Sequence, residues 1–273
     1  MTTERFKKLI WEYYKAHGRH ELLWRTKAHV NDPYRILVSE IMLQQTQVSR
    51  VTKKYPEFIR RFPNFRSLAR ASAPSVLSAW QGMGYNRRAL NLKRLSEEVV
   101  ECYKGKLPNE PEALRTLPGI GAATAGSIAA FAFNRPVPFI ETNIRRVFIH
   151  SFFPSKEGVR DEDILKLVEK TLDKENPREW YYALMDYGAM LAAREKENPN
   201  RKSLSYRKQA AFRGSRRAVR GGILRALLAD GPMTERSLAL RLSEPIARIR
   251  EVLDILKREK FVIRKGDIVK IAG

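Results

Sequence analysis

The sequence predicts an all-α fold over most of its length, followed by a small α+β domain at the C-terminus. Three observations predict it. Apolar residues recur at spacings of three and four from the N-terminus to about residue 190, and strict alternation is scarce. Proline and glycine interrupt that pattern at short intervals, at Asp32-Pro33, Phe62-Pro63, Ala73-Pro74, Gly82, Leu107-Pro108, Leu117-Pro118-Gly119 and Asn176-Pro177, which implies short connections between helices. Beyond about residue 217, three helical patterns lead into two β-branched runs joined by a turn. The 273 residues suit one large domain or two ordinary ones, and a hydrophobic content of 43% supports a sizeable core and rules out wholesale disorder.

In chain order, Phe6, Leu9, Ile10, Tyr13 and Tyr14 mark an amphipathic first helix. Residues 1–190 form the predicted helical domain. From Leu191 the composition shifts: the stretch to Arg220 has ten basic and two acidic residues, a net charge of +8. Asn198-Pro199-Asn200 breaks any helix there. A solvated linker is one reading of residues 191–216. Tyr206 and Phe212 among the bases favour an arm lying on phosphates as the other. In the last part, 217–273, Val219, Ile223, Leu224, Leu227 and Leu228 define a helix that stops at Asp230-Gly231-Pro232. Thr234 caps a second helix with Leu238 and Leu242, and a third runs from Pro245 with Ile249, Val252, Leu253 and Leu256 inside. Phe261-Val262-Ile263, a turn at Lys265-Gly266-Asp267, and Ile268-Val269-Lys270-Ile271 read as a hairpin. Three helices and a hairpin resemble a winged-helix domain; the plainer alternative is an α+β packing module.

Charge narrows the function classes. Fifty-two Lys and Arg against 30 Asp and Glu give +22 and a pI of about 10.3. Such a surface repels itself and suits a polyanion, with nucleic acid the first candidate and an anionic membrane the second. Cys102 is the one cysteine, which excludes an internal disulfide framework and any metal site built on several thiolates. His17 and His20 lack a ligand pattern, and His29 and His150 are isolated, so no metal and no cofactor is expected. No apolar stretch reaches membrane-spanning length, and Glu4 and Glu12 among Arg5, Lys7, Lys8 and Lys15 do not fit a targeting leader. A soluble cytoplasmic protein is the expectation, nucleoid-associated if prokaryotic.

The most informative spacing is Leu114, Leu117, Gly119, Gly121 and Ala125. A short helix meets a Pro-Gly-Ile-Gly turn, and a helix rich in small residues follows. The glycines let backbone N–H groups approach an anion, and small residues let two helices pack closely. This is a helix-hairpin-helix pattern, a sequence-independent clamp on a DNA phosphate; an ordinary packing corner is the alternative. The chain resembles the helix-hairpin-helix DNA glycosylases, the MutY-type adenine glycosylases among them. The resemblance covers residues 5 to 190. It rests on Leu23-Trp24-Arg25, Asp32-Pro33-Tyr34, the run Val38 to Val48, Gly82-Met83-Gly84-Tyr85, Leu117 to Gly121, Glu141 to Val147 and Met185 to Met190.

Cleaving an N-glycosidic bond requires a proton for the departing base and a negative charge beside the oxocarbenium-like sugar. Two carboxyl groups in different protonation states can divide this work, and the nucleotide must first leave the stack. Glu40 lies in an apolar run, so burial would raise its pKa and keep it protonated; a helix charge paired with an arginine is the alternative. The resemblance gives this position the role of protonating adenine. Glu141 stands where the family carries aspartate, one methylene longer, a displacement of about an ångström that can cost roughly a hundredfold. It is the second expected catalytic residue, with helix N-cap as the alternative, and Asn143 matches a family asparagine that positions water. Trp24, Arg25, Gln44, Gln45 and Tyr85 are expected at the substrate: the glutamines on a base edge or in the vacated gap, Tyr85 as a wedge in the stack or, alternatively, a buried aromatic. Gly119, Gly121, Thr124, Arg145, Arg146, Arg201, Lys202, Arg207 and Lys208 are expected at DNA.

Departures from the family qualify the reading. Strand-cutting relatives carry a Schiff-base lysine where this chain has Ala123, which implies base release without strand cleavage. No cysteine stands where the family's four cluster cysteines follow Met190, residues 217–273 are too short for the family's Nudix-like module, and Leu23 replaces a proline. The resemblance implies a monofunctional glycosylase of base excision repair, acting as a monomer on duplex DNA with a mispaired or damaged base. Adenine opposite guanine or 8-oxoguanine is the first substrate. Uracil or thymine opposite guanine, or a non-catalytic DNA-binding protein, are the alternatives.

Overall fold

A computed structural model describes residues 1–208, 211–212 and 214–272. Helix α1 (Thr3–His17) is capped by Thr2, whose side chain accepts from the Arg5 N–H, and buries Phe6, Ile10 and Tyr14. A 3-10 turn at Leu23–Arg25 and the short α2 (Lys27–Val30) lead into α3 (Pro33–Leu43). Four helices follow, α4 (Val48–Arg61), α5 (Phe65–Arg70), α6 (Ala73–Ala79) and α7 (Arg87–Cys102). Next come the hairpin helices α8 (Pro111–Thr116) and α9 (Ala122–Phe133), then α10 (Thr142–Phe152), α11 (Asp161–Thr171) and α12 (Pro177–Arg194). After a 3-10 turn at Pro199–Lys202, the chain ends in α13 (Arg216–Ala229), β1 (Met233–Thr234), α14 (Glu235–Leu242), α15 (Ile246–Arg258), β2 (Val262–Lys265) and β3 (Ile268–Ile271). The predicted helical region and C-terminal hairpin are both present. Among the described residues no helix is long and apolar enough to cross a membrane.

The fold divides the chain into two units, and not at residues 190 and 216 as composition suggested. One unit joins Met1–Ile41 to Leu107–Lys208; the other joins Met42–Lys106 to the chain from Gln209 onward. The reason is physical. Periodicity marks which face of a helix is apolar, and says nothing of which distant face will cover it.

In the first unit, α1 packs on α10 and α12 around an aromatic centre. Phe6 lies 5.0 Å from Phe148, 4.9 Å from Phe152 and 6.1 Å from Trp180, ring to ring. Phe131 of α9 stacks on Tyr182 of α12 at 4.6 Å, nearly parallel. Gly126 makes room there: a methyl in its place would sit 2.5 Å from the Phe139 Cβ. Residues 195–208, expected as arm or linker, form a docked strap. Asn200 and Ser203 are buried. The Val159 N–H donates to Lys202 O at 2.8 Å, and the Leu204 N–H to Val159 O at 3.0 Å.

In the second unit, α13, α14 and α15 bury Val219, Ile223, Leu238, Ile249, Val252 and Leu256 together with Phe261 and Val269. Ser215 and Thr234 cap α13 and α14 as side-chain acceptors. The sheet has the order β1-β3-β2, all antiparallel, with Val262 opposite Ile271 and Lys265 opposite Ile268. The short β1 is a strand the sequence pattern does not announce. The C-terminal part is fixed to 42–106 by the packing of α13 on α6 and by Glu259, which pairs with Arg220 and with Arg87 of α7.

Candidate active site

Helix α3 carries Glu40 between side chains that are almost wholly inaccessible: Ile36, Leu37, Val38, Ser39, Ile41 and Met42. Glu40 is half-buried by accessible surface, yet its carboxyl is enclosed densely enough for desolvation to dominate. Burial pushes it from the ordinary 4.5 up to about 7, the nearby Glu141 charge adds to the rise, and a hydrogen bond with Ser127 and the Arg25 charge oppose it. A carboxyl poised there is half protonated at neutrality, as a general acid needs.

Glu141 is set by a different local structure. It is the N-cap of α10 and accepts from the backbone N–H groups of Asn143 at 2.6 Å and Ile144 at 2.8 Å. The capping alternative therefore describes its local role, although Glu is an unusual cap. Burial raises its pKa too, but the Ile144 and Asn143 N–H groups and the Arg146 and Arg145 charges act downward. Those groups favour the carboxylate form and temper the effect of burial, which still sets the net direction upward. Asn143 is held at both ends of its amide. Nδ2 donates to Glu141 Oε2 at 3.3 Å, and Oδ1 accepts from Arg146 at 2.8 Å. Arg146 also donates to the Gly188 carbonyl at 2.9 Å. Gly188 lets α12 approach this closely, since a Cβ there would lie 2.7 Å from both Asn143 Cβ and Asn143 O.

Several residues expected at substrate or DNA have other work. Trp24 is core, 3% exposed. Arg25 is buried and grips Asp186 with bonds of 2.7 and 2.9 Å while stacking over Tyr182 at 4.2 Å. Arg19 joins the same carboxylate through its backbone N–H and its guanidinium. Burial acts upward on Asp186, but Arg25 and Arg19 outweigh it and hold its carboxyl below the usual range. Arg25 thus reaches the site as a charge beside Glu40, supported from α12, and not as an exposed ligand. Arg145 makes a bidentate pair with Asp161 at 2.8 and 2.9 Å, and Arg146 is buried on Asn143 and Gly188. Neither side chain is presented as a phosphate ligand, because a guanidinium fork already matched to acceptors inside the fold is not offered outward. Ser127, Asp186, Tyr182 and Gly188 were not singled out as site residues. Asp186 and Gly188 lie in a motif that signalled them; nothing marked Ser127 or Tyr182.

The hairpin is built as its spacing suggested. Gly119 takes φ +84°, which favours glycine, and Gly121 is the N-cap of α9, where a Cβ would meet open space. No side chain caps α9, and Thr124 sits half-buried in its first turn. Arg201, Arg207 and Lys208 are exposed on the strap, while Lys202 is half-buried and donates to the Pro154 carbonyl. In the second unit, Gln44 and Gln45 follow the end of α3, and Gln45 has φ +50°. Tyr85 has φ +47° and is 38% exposed, so the buried-aromatic alternative does not hold; Arg217 donates to its hydroxyl at 3.0 Å.

Residues 38–174 match the model of the HhH-GPD superfamily of base excision DNA repair proteins. The chain belongs to this family. The matched span contains Glu40, the 117–121 hairpin and Glu141, so both carboxyl groups fall inside the family's shared part. An adenine DNA glycosylase of Mycobacterium tuberculosis is 32% identical over 281 residues, covering 95% of this chain and 90% of the relative. An adenine DNA glycosylase of Buchnera aphidicola is 37% identical over 203 residues, and there the match spans 73% of this chain but 56% of the relative's length. Among solved structures, a thermostable thymine-DNA glycosylase aligns with a TM-score of 0.62 at 25% identity, covering 72% of this chain and 90% of its own.

Proposed function

We propose that this chain is a monofunctional DNA glycosylase that hydrolyses the N-glycosidic bond of adenine mispaired with guanine or 8-oxoguanine. The observation that carries the reading is one pair of buried carboxyl groups in one unit, Glu40 within reach of the Glu141 charge and only Glu141 seated on the N–H groups of a helix start. Glu40, protonated, gives its proton to a ring nitrogen of the base. The C1′–N bond then breaks, with its electron pair leaving on the base. The Glu141 carboxylate opposes the positive charge that develops on the sugar. Water adds to C1′, and its released proton restores the pair. Asn143, fixed from both sides, orients that water. Ala123 has no amine, so no imine forms and the product is an abasic site in an uncut strand. The adenine assignment is supported by the names of the Mycobacterium and Buchnera relatives.

A second reading, thymine or uracil opposite guanine, is favoured by the likeness to the thymine-DNA glycosylase structure. Single-turnover base release from duplexes with adenine, uracil or thymine opposite guanine, and adenine opposite 8-oxoguanine, separates the two. Adenine release is the expected result. Pyrimidine release alone would establish the second reading, and release from none of them would reduce the chain to a DNA-binding protein.

A further inference from the structure

We propose that Arg88 is a positioning residue that locks two loops, 44–46 and 83–85, into one edge for entering a duplex. The observation is a single guanidinium near the start of α7 with five acceptors. Nη1 donates to Met42 O at 3.0 Å and Gln44 O at 2.5 Å. Nη2 donates to Thr46 Oγ1 at 2.9 Å and to Met83 O and Gly84 O at 3.2 Å each. Two of these carbonyls have a common placing. Gln44 O immediately precedes Gln45, and Gly84 O immediately precedes Tyr85, the non-glycine residues at φ +50° and +47°. A left-handed residue of this kind costs about 1 kcal/mol or more and persists where its surroundings over-determine it. Arg88 holds the peptide in front of both. Trp80 Nε1 adds a donor to Gly84 O at 3.0 Å, and the guanidinium lies 5.4 Å from the Trp80 and Tyr85 ring centroids.

The two residues so held are a glutamine and a tyrosine, an amide that can pair with a base edge and a flat ring that can stack. Removing a base from the duplex leaves a gap and an orphaned partner base, and both must be met together. A planar fork with donors on two sides can fix both loops at once; a lysine ammonium cannot. This inference rests on the glycosylase reading for its role, while the lock itself is a property of the unit.

The test compares wild type with Arg88→Lys on adenine opposite guanine and on adenine opposite an abasic site, where no partner base has to be met. A 2-aminopurine beside the target reports extrusion, and amide exchange reports on the loops. Arg88→Lys is expected to lose about thirtyfold on the paired substrate, the worth of one or two charge-assisted hydrogen bonds, and less than about threefold on the gapped one. Its 2-aminopurine signal falls, and exchange rises at both 44–46 and 83–85. Equal loss on the two substrates, no loss, or faster exchange in one loop alone would overturn the proposal. If Arg88→Lys does not fold, Thr46→Val removes one acceptor and is expected to show a smaller loss confined to the paired substrate; a loss equal on both substrates, or none, overturns it there too. Absence of base release by wild type would sink the glycosylase reading, and amide exchange would still decide the lock.

Discussion

Glu40 lies in the middle of an apolar helix, whereas Glu141 lies at the start of another. The same side chain therefore meets two different solvents. At Glu40 the backbone is already hydrogen-bonded along α3 and offers the carboxyl nothing, so burial dominates, with the Glu141 charge adding to it and Ser127 and Arg25 opposing it. At Glu141 the unpaired N–H groups of a helix N-terminus turn toward the carboxyl, and two arginines stand behind them. Position within a helix, more than residue type, decides which backbone groups each buried carboxyl meets.

The strongest way to break this comparison is Glu40→Gln. Loss of the acid should lower single-turnover base release by about a thousandfold or more, within the usual range for general acid–base groups and above, while duplex binding changes little. The same variant tests the pKa through stability. A carboxyl raised from 4.5 to about 7 stabilises the fold fully below 4.5, and that contribution is lost as pH rises through 7. Wild type should therefore lose stability between pH 4.5 and 7 relative to Glu40→Gln; parallel stability curves would place Glu40 in water. Glu141→Gln is the matching change. It keeps an acceptor for the cap but removes the charge, so a loss of about a hundredfold in kcat with a small fall in Tm is expected. A fall in Tm alone would make Glu141 only a cap.

Two smaller effects sharpen the contrast. Gly188→Ala drives a methyl into Asn143 and should cost about 1–3 kcal/mol in chemical denaturation, with a fall in base release. Unchanged stability would show that α10 and α12 can separate freely. Neutralising Arg201, Lys202, Arg207 and Lys208 together should weaken binding to every duplex alike and reduce the salt slope by up to about 0.9 for each phosphate that is no longer neutralised. An unchanged slope would show that the strap's charges meet no phosphate.

What the sequence made legible follows a rule. Features set by neighbours in the chain could be read: the hairpin from Pro118, Gly119 and Gly121, the C-terminal helix starts from Thr234 and Pro245, the buried carboxyl from the apolar run around Glu40. Features set by distant residues could not. Arg25 and Arg145 look alike in sequence to any exposed DNA ligand, yet Asp186 lies 161 residues from the first and Asp161 lies 16 from the second. The segment 191–216 reads as a basic arm or linker because its charge is visible, while the partners that dock residues 200–204, Val159 and Thr142, are not. The pairing of 42–106 with the C-terminal helices was equally hidden, since several apolar faces could have covered one another.

The discontinuous build of the first unit has a consequence in time. A chain emerging from the ribosome delivers Glu40 early, then a long excursion that belongs to the other unit, and only later the hairpin and Glu141. Even then Arg25 lacks its counter-charge until Asp186 emerges, and the carbonyl of Thr142, next to Glu141, gains its donor from the Asn200 side chain only after that. A nascent polypeptide stopped anywhere before the strap carries Glu40 without its full framework. Synthesis order thus keeps the two carboxyl groups apart until the unit that encloses them can close.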